Sequence, residues 1–382
     1  MAALAGKRIG LLTARASRAN GGVFEAVVGQ VGLLKRLGAV PIVIAVEDDA
    51  HATDAWRLDD AEVRLAKQVG PDQPGFAPQL AVQLQEAKLD LLHLHGIWTY
   101  ASRAAAHWAK NDGGPLVISP HGMLDPWITE RNRWKKNLAR FAWERDAWKS
   151  ATAFHALTSD EAADIDRETG GAKIGIIPNP APKPSAPRER IAPPMALYLG
   201  RIHAKKNLIA LMEGWLAALP DLPPEASLTI AGWGDEEGVA ALERFLEPVG
   251  PSIQFVGAAF GSQKAALFDV ARFTVLPSLS EGLPMAILDS WAAGVPTIIS
   301  EACHLPQGYE AGAAIHCGTD KASIKRALVK AFAMDETAWL SMSRAAQSLA
   351  SGPFGPERIA GQWEQLYEDC LKARRVLIRP DR

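Results

Sequence analysis

Apolar residues along the chain fall into short continuous runs that alternate with longer stretches at helical spacing. The short runs read as buried strands. In the first half they are Arg8–Thr13, Pro41–Val46, Leu89–Leu94, Leu116–Ser119, Ala153–Leu157 and Ile174–Ile177. In the second half they are Met195–Leu199, Leu228–Ala231, Ile253–Val256, Phe273–Leu276, Thr297–Ile299 and a last strand region opening at Gly312–Ile315. Between them, Val23, Phe24, Val27, Val28, Val31, Leu34 and Leu37 share one side of a helix that Gly38 ends. Thr158-Ser-Asp-Glu161 is a capping box that starts another. Pro284 sits where proline is tolerated at a helix start, followed by Ile287, Leu288, Trp291 and Ala292 at helical spacing, with Gly294 at the end. Three helices close the chain near 320–333, 335–350 and 356–373, the last carrying Ile359, Trp363, Leu366, Tyr367 and Cys370 on one side. Strand–helix alternation of this kind predicts an α/β fold with parallel sheets, in which ligands bind at the carboxyl ends of strands.

Two departures from the alternation divide the chain. Residues 47–78 are polar, with several Pro and Gly, and read as excursions from the fold. Residues 178–194, PNPAPKPSAPRERIAPP, are too rich in proline for a helix and predict a stiff linker. The expected layout is a first domain over 1–180, a linker over 181–194, a second domain over 195–355 and a C-terminal helix in 356–382. A chain of 382 residues exceeds one ordinary core, which agrees with two domains.

Composition excludes several classes. A net charge of −2 offers no global attraction to nucleic acid. Three cysteines without a CxxC, Cys303, Cys317 and Cys370, argue for a reducing compartment and buried thiols rather than disulfides. Cys303-His304 and His316-Cys317 do not have zinc-site spacing. No run is long enough to cross a membrane, and Lys7-Arg8 precede only a strand-length apolar run, so neither a spanning helix nor a signal peptide is expected. Residues 130–149 predict a basic helix, with Arg131, Arg133, Lys135, Lys136, Arg140, Arg145 and Lys149 beside an apolar side of Trp134, Leu138, Phe141 and Trp148. Two readings stand for it: a helix lying on an anionic membrane, or a solvated helix whose tryptophans pack inward.

The candidate chemistry gathers at strand ends. Glu281 lies in the loop after Phe273–Leu276, and Asp289 lies on the following helix with seven residues between them. A carboxylate accepts two hydrogen bonds from a vicinal diol. The helix start at Gly282-Leu283-Pro284 offers backbone N–H groups to a diphosphate. Sugar, diphosphate and ribose together describe a nucleotide sugar. Arg201 and Lys206, after Met195–Leu199, could clamp a diphosphate from two sides. Gly232 and Gly234 follow Leu228–Ala231, and Phe260 follows Ile253–Val256. In the first half, Gly21-Gly22 form a strand-to-helix turn without the GxGxxG of a dinucleotide site. His93 and His95 end one strand and His121 follows another. His93 reads as a packing residue and His121 as a cleft residue.

These strings resemble family 4 retaining glycosyltransferases of the GT-B fold, two Rossmann-like doubly wound domains with a cleft between them. The SEGLP…AAGVP unit is similar to the family's Glu-x7-Glu element, with Asp289 where the second Glu is usual, shorter by roughly 1.5 Å. GR-x4-K-N at Gly200–Asn207 and SPHGM at 119–123 also match family motifs. The resemblance implies roles residue by residue. Glu281 would contact the donor sugar and Asp289 the ribose. Arg201 and Lys206 would neutralise the departing diphosphate, and His121 would lie beside the sugar. Gly21 and Gly22 would border the phosphates, Gly232 and Gly234 would admit the nucleotide to backbone, and Phe260 would line the base pocket. No metal or cofactor is implied beyond a UDP- or GDP-sugar substrate. The implied acceptor is a saccharide or polyprenyl-linked saccharide of exopolysaccharide, capsule or lipopolysaccharide synthesis, made in the cytoplasm at the inner face of the plasma membrane. A nucleotide-sugar epimerase of the same fold, and a nucleotide-sugar-binding scaffold, are the competing expectations.

Overall fold

A computed structural model describes residues 3–71, 75–130 and 133–377. The chain divides into two compact units: Met1–Pro178 with Ala360–Arg382, and Asn179–Ile359.

The first unit is built on seven strands: β1 (Arg8–Arg15), β2 (Val40–Val46), β3 (Glu62–Ala66), β4 (Leu91–His95), β5 (Leu116–Ser119), β6 (Ala153–Ala156) and β7 (Ile174–Ile176). Their order is β3-β2-β1-β4-β5-β6-β7, and every neighbouring pair is parallel. A parallel sheet covered on both faces needs strands apolar on both sides, and β4 and β5 are buried at every position. Strand order reverses between β1 and β4, so the loops that leave these two strands flank the crevice where open sheets bind ligands. Gly21 follows β1 and His95 ends β4.

The second unit repeats this plan with β8 (Met195–Leu199), β9 (Ser227–Ala231), β10 (Ile253–Phe255), β11 (Phe273–Leu276), β12 (Thr297–Ile299) and β13 (Ala314–His316). The order is β10-β9-β8-β11-β12-β13, again all parallel. Its reversal lies between β8 and β11, whose loops carry Arg201, Lys206 and Glu281. Trp215, Trp291 and Trp339 are fully buried in this unit.

Two expectations need correction. Residues 47–78 are not a bare excursion, because they contain β3, paired with β2 from Ile42–Glu62 to Val46–Ala66. As an edge strand with charged Glu62 and Arg64, β3 lacks the apolar run that marks a central strand. The proline-rich stretch is extended, as expected, but it is strapped to the second unit rather than free. Ala181 N donates to Phe354 O and Ser185 N to Ala292 O. The Arg188 guanidinium donates to the carbonyls of Ala293, Asp269 and Phe268.

The last helix runs Pro356–Leu377. Ile359, Trp363, Leu366, Tyr367 and Cys370 are all buried, which is the stripe their spacing predicts.

Candidate active site

In the second unit the loops after β8 and β11 are stitched together by backbone and amide bonds. Leu279 N donates to Lys205 O at 2.7 Å. Asn207, left-handed at φ 60°, donates from Nδ2 to Pro277 O and Thr319 O. Ser300 Oγ donates to Ser278 O at 2.6 Å. This frame brings Lys206 and Glu281 into direct contact, Nζ to Oε1 at 2.5 Å. Ser278 Oγ donates to the same oxygen at 2.6 Å. Glu281 is 8 % exposed, so the carboxylate is oriented from one side and its other oxygen has no hydrogen-bond partner among the described residues. Tyr198, fully buried beneath, donates to Arg201 O and shapes the turn that carries the exposed Arg201 side chain.

Asp289 sits on the helix Met285–Ala292, which Pro284 caps and Gly294, at φ 68°, terminates. Its carboxylate is 3.0 Å from Lys264 Nζ. Burial pushes the carboxyl up, and Lys264 pulls it back. The position therefore presents an Asp–Lys pair rather than a lone carboxylate. Leu283 and Pro284 are buried and Gly282 half-buried, which leaves backbone rather than side chains for a ligand at this turn.

The two glycines after β9 have a structural reason to be glycine. A Cβ on Gly232 would stand 1.8 Å from Gly200 O, and one on Gly234 2.6 Å from Ile202 O. Their missing side chains thus face the neighbouring loop, joined by the Ile202–Gly234 bridge. Phe260 is 60 % exposed and packs on exposed Trp233, with ring centroids 5.4 Å apart.

In the first unit, Gly21 takes φ 57° as the cap of helix Gly22–Arg36. Gly22 has open space where a side chain would go. His121 is left-handed at φ 54°, and its Nε2 lies 3.1 Å from His95 Nδ1. Burial, and secondarily His155, lowers the pKa of His121 to about 3. The capping box departs from its expected pattern. Thr158 Oγ accepts from Glu161 N, but the Glu161 carboxylate accepts from Leu157 N and from Gly122 N, at 2.6 Å. Glu161 therefore ties down the loop that carries His121. His93 is buried and bonded at both ring nitrogens, to Tyr367 Oη and Ser119 Oγ.

The 130–149 segment breaks into helix Arg133–Ala139, a π turn Arg140–Glu144 and helix Arg145–Ser150. Its expected apolar side is split. Trp148 is buried, whereas Trp134, Leu138 and Phe141, spaced i, i+4, i+7, are exposed. Arg131 lies outside the described residues. Among the described residues no group of three or more His, Cys, Asp or Glu could hold a metal ion, and no helix is long and apolar enough to cross a membrane.

Comparison with known proteins decides the family. The pattern described as "Glycosyl transferase 4-like domain" matches residues 21–180, and "Glycosyl transferases group 1" matches residues 193–333. The chain belongs to the family 4 glycosyltransferases. Similar relatives include a glycogen synthase of Mycobacterium tuberculosis, 28 % identical over 73 % of this chain and 68 % of the relative. Another is the GDP-mannose:cellobiosyl-diphosphopolyprenol alpha-mannosyltransferase of Xanthomonas campestris, 24 % identical over 79 % of each chain. Among solved structures, Anabaena HepE in complex with UDP and glucose superposes with a TM-score of 0.76 at 16 % identity, over 95 % of this chain and 100 % of that one. Sucrose-phosphate synthase from Thermosynechococcus elongatus gives 0.78 at 18 % identity, over 96 % and 100 %. These likenesses establish the GT-B fold.

In this glycosyltransferase, the sequence assigned no site role to Ser278, Ser300, Lys264 or Trp233, and it named Asn207 and Glu161 only as members of a motif and a capping box, without the partners the structure shows. Each is a common polar or aromatic residue; apart from Ser278, which bonds Glu281 three positions on, the role of each depends on a partner distant in sequence. Lys264 had a local signal in addition, a single cation on a short helix beside the predicted base pocket.

Proposed function

We propose that the chain transfers a sugar, with retention of anomeric configuration, from a nucleotide sugar to a saccharide acceptor in polysaccharide synthesis. The observation that carries this is the Lys206–Glu281–Ser278 constellation at the reversal point of the second sheet. Glu281 offers a fixed carboxylate to sugar hydroxyls. Lys206, released from Glu281 as the donor enters, and Arg201 stabilise the negative charge that develops on the leaving diphosphate. No divalent metal is needed in this scheme, because the two cations supply the charge. Phe260 with Trp233 offers a flat apolar surface suited to a nucleobase, and the Asp289–Lys264 pair offers both an acceptor and a donor to ribose. His121 is the first unit's candidate partner for the transferred sugar. Support for the donor class comes from relatives: HepE is described in complex with UDP and glucose, a pneumococcal O-GlcNAc transferase with UDP and GlcNAc, and the Xanthomonas relative is named for GDP-mannose and a diphosphopolyprenol acceptor.

The test is thermal stability against UDP-, GDP-, ADP- and dTDP-sugars with chelator present. A ligand at a hundred times its dissociation constant adds about 2.7 kcal/mol. One responding nucleotide, followed by transfer to a saccharide acceptor, supports the reading. Turnover of donor alone would instead favour an epimerase, and tight binding without transfer to any acceptor a scaffold.

We also propose that residues 133–149 rest on an anionic membrane surface. Trp134, Leu138 and Phe141 form an exposed apolar stripe flanked by exposed Arg133, Lys135 and Arg145. Of the acids nearby that oppose this, Glu144 is buried and exposed Asp146 is paired with Lys110, which leaves exposed Glu130 against the surrounding cations. Co-sedimentation with phosphatidylglycerol vesicles but not phosphatidylcholine vesicles, lost in Phe141→Ser, is the expected result. Equal binding to both vesicles, or to neither, would overturn it.

A further inference from the structure

A chain of hydrogen bonds through the first unit has only one consistent direction. Ile177 O can only accept, so His155 donates to it from Nε2 at 2.7 Å. His155 and His93 are held neutral by burial, which lowers both below the usual imidazole range. A neutral His155 therefore accepts at Nδ1 from Ser119 Oγ, 2.7 Å away. Ser119 in turn accepts from His93 Nε2 at 2.6 Å. That leaves His93 Nδ1 to accept from Tyr367 Oη, and Tyr367 to accept from Gln30 Nε2. Every proton from Gln30 to Ile177 is thus assigned, and none is left over for His95.

His95 lies against this chain, its ring centroid 3.9 Å from that of His93. Its Nδ1 faces His121 Nε2 at 3.1 Å, with the two ring planes inclined by 15° and their centroids 5.3 Å apart. That centroid separation is about the N···N distance plus the two centroid-to-nitrogen radii, so the near-parallel rings meet edge to edge through one N–H···N bond rather than face to face. The other ring nitrogen of His95, Nε2, is buried without a hydrogen-bond partner. Two neutral arrangements are open. If His121 donated, His95 would carry its proton on Nε2, and a buried N–H would have no acceptor. If His95 donates from Nδ1, only a bare nitrogen lone pair is left without a partner. Orphaned buried N–H groups are the rarer defect in folded proteins.

We propose that His95 is a positioning residue that holds His121 in the tautomer carrying its proton on Nδ1. Nδ1 of His121 has no partner among the described residues, so His121 meets its ligand as a donor, and the atom it contacts is a hydroxyl or phosphate oxygen acting as acceptor. Glu161, through Gly122 N, and the left-handed backbone of His121 hold the ring where His95 can reach it. The tautomer follows from the unliganded protein. Its use rests on the reading of His121 as a donor-site residue.

Nitrogen-15 spectra of histidine-labelled protein, without ligand, decide the assignment. The expected wild-type result is His121 protonated at Nδ1 and bare at Nε2. His95→Asn, whose amide can donate from the place of Nδ1, keeps this pattern. His95→Leu, of similar volume but without a donor, releases His121 to the Nε2-protonated tautomer. In transfer assays His95→Leu loses about tenfold in turnover, roughly the value of one hydrogen bond, and His95→Asn loses less than half as much on a logarithmic scale. Nε2 protonation of His121 in the wild type overturns the inference without any variant, and so does an unchanged tautomer in a folded His95→Leu protein. A His121→Ala protein with normal turnover would sink the donor-site reading and leave the tautomer assignment standing.

Discussion

The first unit gathers buried His93, His95 and His155 with half-buried His121 as neutral imidazoles, His93 and His155 joined through Ser119 and His95 bonded to His121, and elsewhere buries Glu144, whose carboxyl burial pushes up to about 7. The second places Lys206 against Glu281 and Lys264 against Asp289 as ion pairs, the latter between two helices. The difference lies in the partners rather than in depth. Burial carries a large desolvation cost for any ion, and the histidine cluster, which has no counter-charge in contact among the described residues, keeps its polarity as hydrogen bonds between neutral groups. In the second unit a lysine ammonium touches each carboxylate and offsets that cost, and such pairs suit a charged ligand that can exchange partners with them. The first unit's site should therefore answer to protons and the second's to anions.

The largest effect that would break this contrast is expected at Lys206. Lys206→Ala should lower turnover at least a hundredfold, the scale for removing a charge-stabilising donor. It also leaves Glu281 as an uncompensated buried carboxylate, worth about 3–5 kcal/mol of stability. Lys206→Ala with Glu281→Gln should recover most of the stability and none of the turnover. Normal turnover in the single variant would refute the clamp.

Acid comes next. His155 has a folded pKa near 4, against about 6.5 unfolded. The unfolded chain binds this proton first, so stability is fully present above pH 6.5 and is lost as pH falls from 6.5 towards 4, by roughly 3 kcal/mol for His155 alone. Hydrogen exchange at pH 5 should show the first unit's sheet losing protection before the second's. The reverse order would remove the contrast.

Base acts through Glu144. Burial pushes its carboxyl up to about 7, with Trp98 N and Trp143 Nε1 donating to one oxygen and the other oxygen unpartnered. The folded chain holds this proton longer than the unfolded chain, so stability falls as pH rises from about 4.5 to 7. Glu144→Gln should recover about 3 kcal/mol at pH 8 in chemical denaturation and gain little at pH 5. A gain independent of pH would show that packing rather than charge is involved. The smallest effect is expected at Phe141, 82 % exposed, where Phe141→Ser should change stability by no more than about 0.5 kcal/mol while abolishing vesicle binding.

Much of this molecule was legible in its sequence. Central strands of a parallel sheet are buried on both faces, so β1, β2, β4, β5, β8 and β11 stand out as apolar runs. The glycine turns and the loop carboxylate Glu281 sit directly after such runs, which places them at strand ends. The edge strand β3 escaped because an edge needs charge rather than an apolar run. The strapped linker escaped because its anchors, Phe354, Ala292, Ala293 and Asp269, lie about 80 to 170 residues away along the chain.

By itself, then, the sequence determined which segments form two alternating parallel sheets, and that Arg201, Lys206, Glu281 and His121 lie at strand ends. Those are consequences of periodicity and of glycine and proline, which act within a few residues. Only the tertiary structure decided that Lys206 grips Glu281, that Lys264 answers Asp289, that Glu161 serves the His121 loop, and that His93 belongs to a hydrogen-bond chain running from Gln30 to Ile177. Such pairings depend on which strand ends the topology brings together, and that is set by the packing of the whole sheet.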